Sequence, residues 1–399
     1  MLRTTPFHPR VSDLNQTQLW SHWSGYLVAD RYQMSEKFEY FAIRNAVGVF
    51  DTSPLYKYRI AGRDAERFLG RVLTRDIRTC DPGQAQYTIW CDDRGYVNED
   101  GVILRHGADE FLLTAARPNL AYFSDLVGDL KVELAEVTEE LGALAVQGPR
   151  SRDVLSAVAP GVGRLGYFDH LPTKIAGAPV TVSRTGFTGD LGYEIFVEAG
   201  DALRVWDAVF DAGAGHGILP FGQMALLMAR VEAGLLLIGV DFESSRFAFN
   251  DEHRSTPYEL GLAWMLKGLE SDDRRFVGRS ALLAQHTDRS RRWNMVGLVV
   301  DPADYDQKYR AAGLIPPKDH HPVHGDTMVY DDDGQRIGYA TSLLYSPALQ
   351  RHIALARVRP DHATPGGRAN LEFTINHRYQ RVGASIARLP LFNPERKTA

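Results

Sequence analysis

Between Lys37 and Phe50 the apolar residues Phe38, Phe41, Ala42, Ala46 and Val49 recur at helical spacing, which predicts an amphipathic helix closing at Gly48. "LYKYRIAG" then alternates as a strand does, and "DAERFLGRVL" predicts a helix with Asp64 as its N-cap. "QAQYTIWCDDRGYVNEDGVILRH" is read as strand, turn and strand, with Asp92, Asp93, Arg94 and Gly95 in the turn. "EFLLTA" predicts another strand and "NLAYFSDLVGDL" another helix. The alternation restarts near Gly142 with strand "ALAVQG", helix "RDVLSAVA", strands "VTVSRTG" and "YEIFVEA", and helices "ALRVWDAVFDAG" and "QMALLMARVEAG". Two rounds of mixed elements predict two α+β units rather than one doubly wound sheet. From about Trp293 the chain turns to short strands and Gly/Pro turns, the texture of a small all-β module.

The chain has 399 residues, 44% of them hydrophobic and 24% charged, enough for two or three domains. A formal net charge of −5 argues against a general nucleic-acid or membrane-surface binder. The two cysteines, Cys80 and Cys91, have neither disulfide-framework nor metal-type spacing, and no apolar run is long enough to span a bilayer. A cytoplasmic location is the expectation.

Dinucleotide, P-loop, serine-hydrolase and HExxH signatures are absent. "KDHHPVHG" places His320, His321 and His324 close together, and is read as a polar loop rather than a metal site. Two acidic strands carry more chemistry. In "GYVNEDGVIL", Glu99 and Asp100 fall on opposite faces, so one acid is expected in water and the other inside; a frayed strand end with both acids solvated is the alternative. In "RTGFTGDLGYEIFV", Glu194 either points into a cleft, where it needs a donor, or sits exposed on a surface hairpin. Tyr87, on the strand before Asp100, stands beside it or packs in the core; Phe111 and Leu113 read as core on composition alone.

Taken in order, these segments resemble the glycine-cleavage T-protein family, the tetrahydrofolate-dependent aminomethyltransferases and their demethylase relatives. "RTGFTGDLGYEI" is similar to the family's RTGYTGEDGxEI loop, "RVEAG" to its RLEAG and "STPYELGLAW" to its TPxExxLxW segment. "FVGRSAL", "TSLLYSPAL" and "ARLPLFNP" resemble later landmarks, and "VGVFDTSPLYKYRIAGRDAERFLGRVLTRD" and "PGQAQY" earlier ones, so the likeness runs from about residue 37 to 393. It implies an α+β fold in a three-domain clover-leaf: two ferredoxin-like units and a C-terminal β-barrel or jelly-roll-like module. The implied boundaries are 1–53 with 142–275 for a discontinuous first domain, 54–141 for a domain inserted in it, and 290–399 for the barrel.

The resemblance also implies roles. Asp100 matches the catalytic aspartate, with Glu99 then facing outward, and Glu194 matches the glutamate that accepts from the pterin ring of tetrahydrofolate, the co-substrate. Tyr87, Phe111, Leu113, Phe187 and Arg230 match folate-pocket positions, although a second family arginine falls on Leu226. Tyr56, Tyr58 and Tyr345 are candidates for the substrate side, one of the first two being expected simply to pack. Glu99-Asp100-Gly101 stands where glycine-cleavage enzymes carry Asp-Asp-Leu, Ser53-Pro54-Leu55 where they carry Ser-His-Met, and Ala115 where they carry a folate-side asparagine. These departures lean toward a demethylase acting on a small methyl donor. An aminomethyltransferase serving a lipoyl carrier protein, a folate-binding protein without transfer activity, and the folate-side partner of a separate oxidase subunit are the rivals.

Overall fold

A computed structural model describes residues 2–399. One six-stranded sheet runs in the order His170–Ile175, Ala178–Ser183, Gly192–Glu198, Leu141–Gln147, Val47–Asp51, Ile218–Pro220. Only its last pair is parallel. Helices Ser151–Val158 and Ala202–Gly213 bury Val154, Leu155, Val205, Trp206 and Val209 against it. A separate five-stranded sheet, in the order Ala85–Cys91, Val97–Arg105, Glu110–Ala115, Tyr56–Ala61, Glu133–Glu136, is covered by helices Ala65–Val72 and Leu120–Val127. All its strands lie between Val47–Asp51 and Leu141–Gln147, two neighbours in the first sheet, so the second unit grows out of the middle of the first. Six antiparallel strands between Asn294 and Ala387 close a barrel. This is the mixed α+β, three-part architecture expected.

The elements differ from expectation where packing overrides pattern. The predicted helix over 37–50 is helix Glu36–Asn45 followed by strand Val47–Asp51, whose five residues are all buried. A strand covered on both faces loses its polar alternation and is hard to tell from a buried helix by period. The helix also turns its other side inward: Phe38 and Phe41 are exposed, while Glu39, Tyr40, Ile43 and Arg44 are buried. That polar face is satisfied. The Glu39 carboxylate accepts from the backbone N–H groups of Tyr32, Gln33 and Gly222 at 2.7, 3.0 and 2.7 Å, and Arg44 pairs with Glu232 at 2.7 Å. Within the β module, helix Pro302–Ala311 interrupts the strands, started by Pro302 in its first turn and by Asp301, which accepts from Ala303 N–H at 2.9 Å. Among the described residues no helix is long and apolar enough to cross a membrane.

Candidate active site

Where the two sheets, the segment after helix Gln223–Glu232 and the barrel meet, they line a cavity of about 1480 Å³. Each sheet sends one carboxylate into its wall: Glu194 from strand Gly192–Glu198 and Asp100 from strand Val97–Arg105.

Asp100 owes its position to strand pairing. It stands opposite Ile89, and Glu99 stands opposite Trp90. Paired residues share a face, and Trp90 belongs to the core beneath the helices of that unit. The face of Glu99 is therefore covered, and Glu99 is 1% exposed rather than facing water as expected. The Tyr87 hydroxyl donates to Asp100 Oδ2 at 2.8 Å. Burial pushes the Asp100 carboxyl up to about 6; the Tyr87 hydrogen bond opposes the rise and the charge of Asp241 adds to it. Burial also drives the Glu99 carboxyl well above the usual range, with the neighbouring Asp100 charge in the same direction. A Cβ at Gly101 would lie 2.0 Å from the Thr114 carbonyl oxygen, so no side chain fits after Asp100.

Glu194 lies in mid-sheet, opposite Ser183 on one side and Ala145 on the other. Thr185 Oγ1 donates to its Oε2, and among the described residues its carboxylate has no other hydrogen-bond donor. Burial pushes its pKa up and the Thr185 bond pulls it down. The loop before this strand folds onto Gln147, which accepts from Thr188 Oγ1 at 2.8 Å and donates to the Tyr193 carbonyl at 3.1 Å. A Cβ at Gly186 or Gly192 would sit 2.2 Å from Gln147 Oε1, so a side chain at either would push Gln147 aside. Gln147 lines the cavity and escaped the sequence reading; its only mark was a polar residue ending an apolar strand.

Of the remaining candidates, Tyr87, Phe187 and Tyr56 line the cavity. Tyr58 packs instead: it is fully buried beneath the helices and its hydroxyl accepts from Asn119 N–H at 2.7 Å. Phe111 and Leu113 are fully buried in that same core and do not reach the cavity. Side chains alternate along a strand, so the opposite parity faces inward, and Thr114 lines the wall. Arg230, expected at the folate, is also fully buried and off the wall. It pairs with Asp241, donates to Ser342 Oγ at 2.8 Å, and so ties its helix to the barrel behind the wall segment Leu235–Ile238. Tyr345, expected on the substrate side, packs edge-on against His352 with centroids 5.1 Å apart, away from the cavity. Trp264 was not singled out, although it ends the quoted "STPYELGLAW". It lines the cavity with the Arg75 guanidinium 5.1 Å from its ring centre and the Tyr87 ring centroid 6.5 Å away.

Residues 13–268 match the GCVT N-terminal domain, and residues 310–393 match the glycine cleavage T-protein C-terminal barrel domain. The chain is 33% identical to a trimethylamine-oxide aldolase of Ruegeria pomeroyi over 99% of its own length, but spans only 48% of that relative. It is 32% identical to a heme-dependent oxidative N-demethylase gamma subunit of Ectopseudomonas mendocina, covering 94% of this chain and 92% of the relative. With an aminomethyltransferase of Saccharopolyspora erythraea it shares 31% identity over 98% of both chains. The crystal structure of the glycine cleavage system aminomethyltransferase T from Bartonella henselae superposes with a TM-score of 0.82 at 22% identity, over 98% of this chain and 99% of that one, a likeness of fold. Two α+β units, a closing barrel and a central cavity agree with both domain matches, and the chain belongs to the glycine-cleavage T-protein family.

Proposed function

We propose that this protein transfers a one-carbon unit from a small donor to N5 of tetrahydrofolate, and that the donor gives a methyl group. The observation that carries the reading is the unequal pair of carboxylates on one cavity: Glu194 with a single protein donor, and Asp100 raised to about 6 and held by Tyr87. A pterin presents N–H and amino donors, and Glu194 has acceptor capacity left for them. The cavity of about 1480 Å³ exceeds the roughly 300–1,000 Å³ of an ordinary small-ligand pocket, which leaves volume for a donor beside the folate.

When bound, tetrahydrofolate supplies a nucleophilic nitrogen, N5. As the donor's heteroatom–methyl bond breaks, its electron pair stays on the departing amine or sulfide, and Asp100 takes up the proton that N5 gives up. Tyr87 fixes the carboxylate's orientation, Glu194 sets the register of the pterin, and Phe187, Tyr56 and Trp264 keep water from the reacting atoms. Gly101 departs from the leucine of the glycine-cleavage pattern, and this strand has no room for a side chain there against the Thr114 carbonyl. Kinship with an oxidative N-demethylase subunit suggests that a second protein delivers the donor; a carbon released by that oxidation stands at the formaldehyde level and would reach the folate as a methylene. An aminomethyl donor on a lipoyl carrier is the second reading, favoured by end-to-end likeness to an aminomethyltransferase.

Incubation with tetrahydrofolate and a donor panel, read by mass spectrometry, separates these. The panel holds N-methyl amino acids, betaines, sulfonium compounds, methoxy-aromatics and an aminomethyl-lipoyl carrier. 5-Methyltetrahydrofolate from one methyl donor supports the proposal. Methylenetetrahydrofolate and ammonia from the carrier replace it with the second reading, and folate binding with no turnover favours a binding protein or a donor outside the panel.

A further inference from the structure

The folded chain brings two of the histidines of "KDHHPVHG" to a carboxylate far away in sequence. His320 and His321 precede the barrel strand Val323–Tyr330, and Glu36 opens the helix Glu36–Asn45 of the first unit. One ligand atom from each lies within 4.8 Å of the other two. The single oxygen Glu36 Oε1 faces both rings: His320 Nε2 contacts it, and His321 Nε2 is 3.2 Å away. The other oxygen, Oε2, is held by Arg31 at 3.1 Å, which fixes the carboxylate's rotation.

Protons do not satisfy this arrangement when the imidazoles are neutral. His321 Nδ1 lies 3.3 Å from Asp319 Oδ1, while the His321 backbone N–H donates to the same oxygen at 3.0 Å. A neutral imidazole has one N–H. If Nδ1–H goes to Asp319, His321 turns the lone pair of Nε2 toward a carboxylate oxygen, acceptor against acceptor. A cation between them turns that repulsion into coordination, and a carboxylate on the far nitrogen is the usual support for a metal-bound histidine.

We infer that Glu36, His320 and His321 form a site for a divalent transition metal, zinc foremost, that joins the first α+β unit to the barrel. Two imidazoles and one carboxylate are a zinc donor set, with bonds of about 2.0–2.2 Å and ligand atoms about 3.3–3.5 Å apart in a tetrahedron; His321 Nε2 is near that spacing from Oε1, and His320 Nε2, in direct contact with it, draws back to admit the ion. The His321 side chain is 44% exposed, which leaves the fourth position to water. None of the three residues lines the central cavity, so this site stands apart from the transferase reading.

The test is metal binding by the tag-free full-length protein after chelator dialysis, with Co²⁺ titrated by visible absorbance and Zn²⁺ counted by mass spectrometry. The expected result is one ion per chain with micromolar affinity and a thermal midpoint that rises with added metal. Glu36→Gln and His321→Gln should each weaken binding by at least about tenfold, while His324→Gln, in the strand Val323–Tyr330 and outside the cluster, leaves it unchanged. Wild-type protein that binds well under one ion per chain overturns the inference, whatever the variants do. So does binding that survives both ligand changes, or that is lost equally with His324→Gln.

Discussion

The Tyr87 hydroxyl lies 2.8 Å from Asp100 Oδ2, joining neighbouring strands on the one face of their sheet that lines the cavity. Tyr87 pairs with Val102 and Asp100 with Ile89, so the two side chains are diagonal neighbours, within reach for a long aromatic. This contact ties the ionisation of Asp100 to the wall that positions it.

Asp100→Asn keeps the shape of the site and removes its proton acceptor. Turnover is expected to fall by about two orders of magnitude or more, with tetrahydrofolate affinity nearly unchanged. Steady-state kinetics beside equilibrium binding check this, and wild-type turnover would remove Asp100 from the chemistry.

The pH profile follows from burial. Asp100 acts as a base only when ionised, and burial raises its pKa to about 6. Turnover is therefore expected to fall as pH drops through about 6. Because the Tyr87 hydrogen bond lowers that pKa, Tyr87→Phe should move the acid limb to higher pH. A limb that stays put in the variant would mean that another group sets it.

Glu194→Gln exchanges a charged acceptor for an amide that can present donors to a donor-bearing ligand. Folate binding should weaken by about 1.5–3 kcal/mol, the range for hydrogen bonds to charged groups. Calorimetric titration decides; equal affinity would place the pterin elsewhere.

Glu99 makes a stability prediction of its own. Its folded pKa is raised by burial and by the Asp100 charge. The stabilisation it gives is thus fully present below about 4.3, the unfolded value, and is lost as pH rises through the folded value. Glu99→Gln imitates the protonated form, so it should raise Tm by a few degrees at pH 8 and change it little at pH 4. Equal Tm for both proteins at pH 8 would show that the carboxylate is compensated there.

Gly101→Ala should destabilise the fold by about 1–3 kcal/mol, the cost of forcing atoms into a filled site, because its Cβ would meet backbone rather than a movable side chain. Thermal unfolding measures it. An unchanged midpoint would mean that the two strands separate easily at this place.

Local period and turn chemistry were enough for the strand–turn–strand that carries Asp100, the glycine loop before Glu194 and the β texture of the barrel, because each of these is written in neighbouring residues. The ordered motifs likewise placed both carboxylates on strands. Composition read Phe111 and Leu113 as core while the resemblance put them at the pocket; which holds depends on strand parity in the packed sheet, where both are core and Thr114 holds the inward face. The covering of Glu99 was not legible, because it depends on helices laid over the face it shares with Trp90. Arg230 kept its expected helix but found Asp241 and Ser342 as partners, and Glu36 met His320 from 284 residues away, with His321 beside it. The sequence by itself determined which residue types and elements were available, since those follow from short-range sterics and hydrophobic period. Only the tertiary structure decided which faces were covered and which distant charges met, because burial and pairing belong to the packed whole.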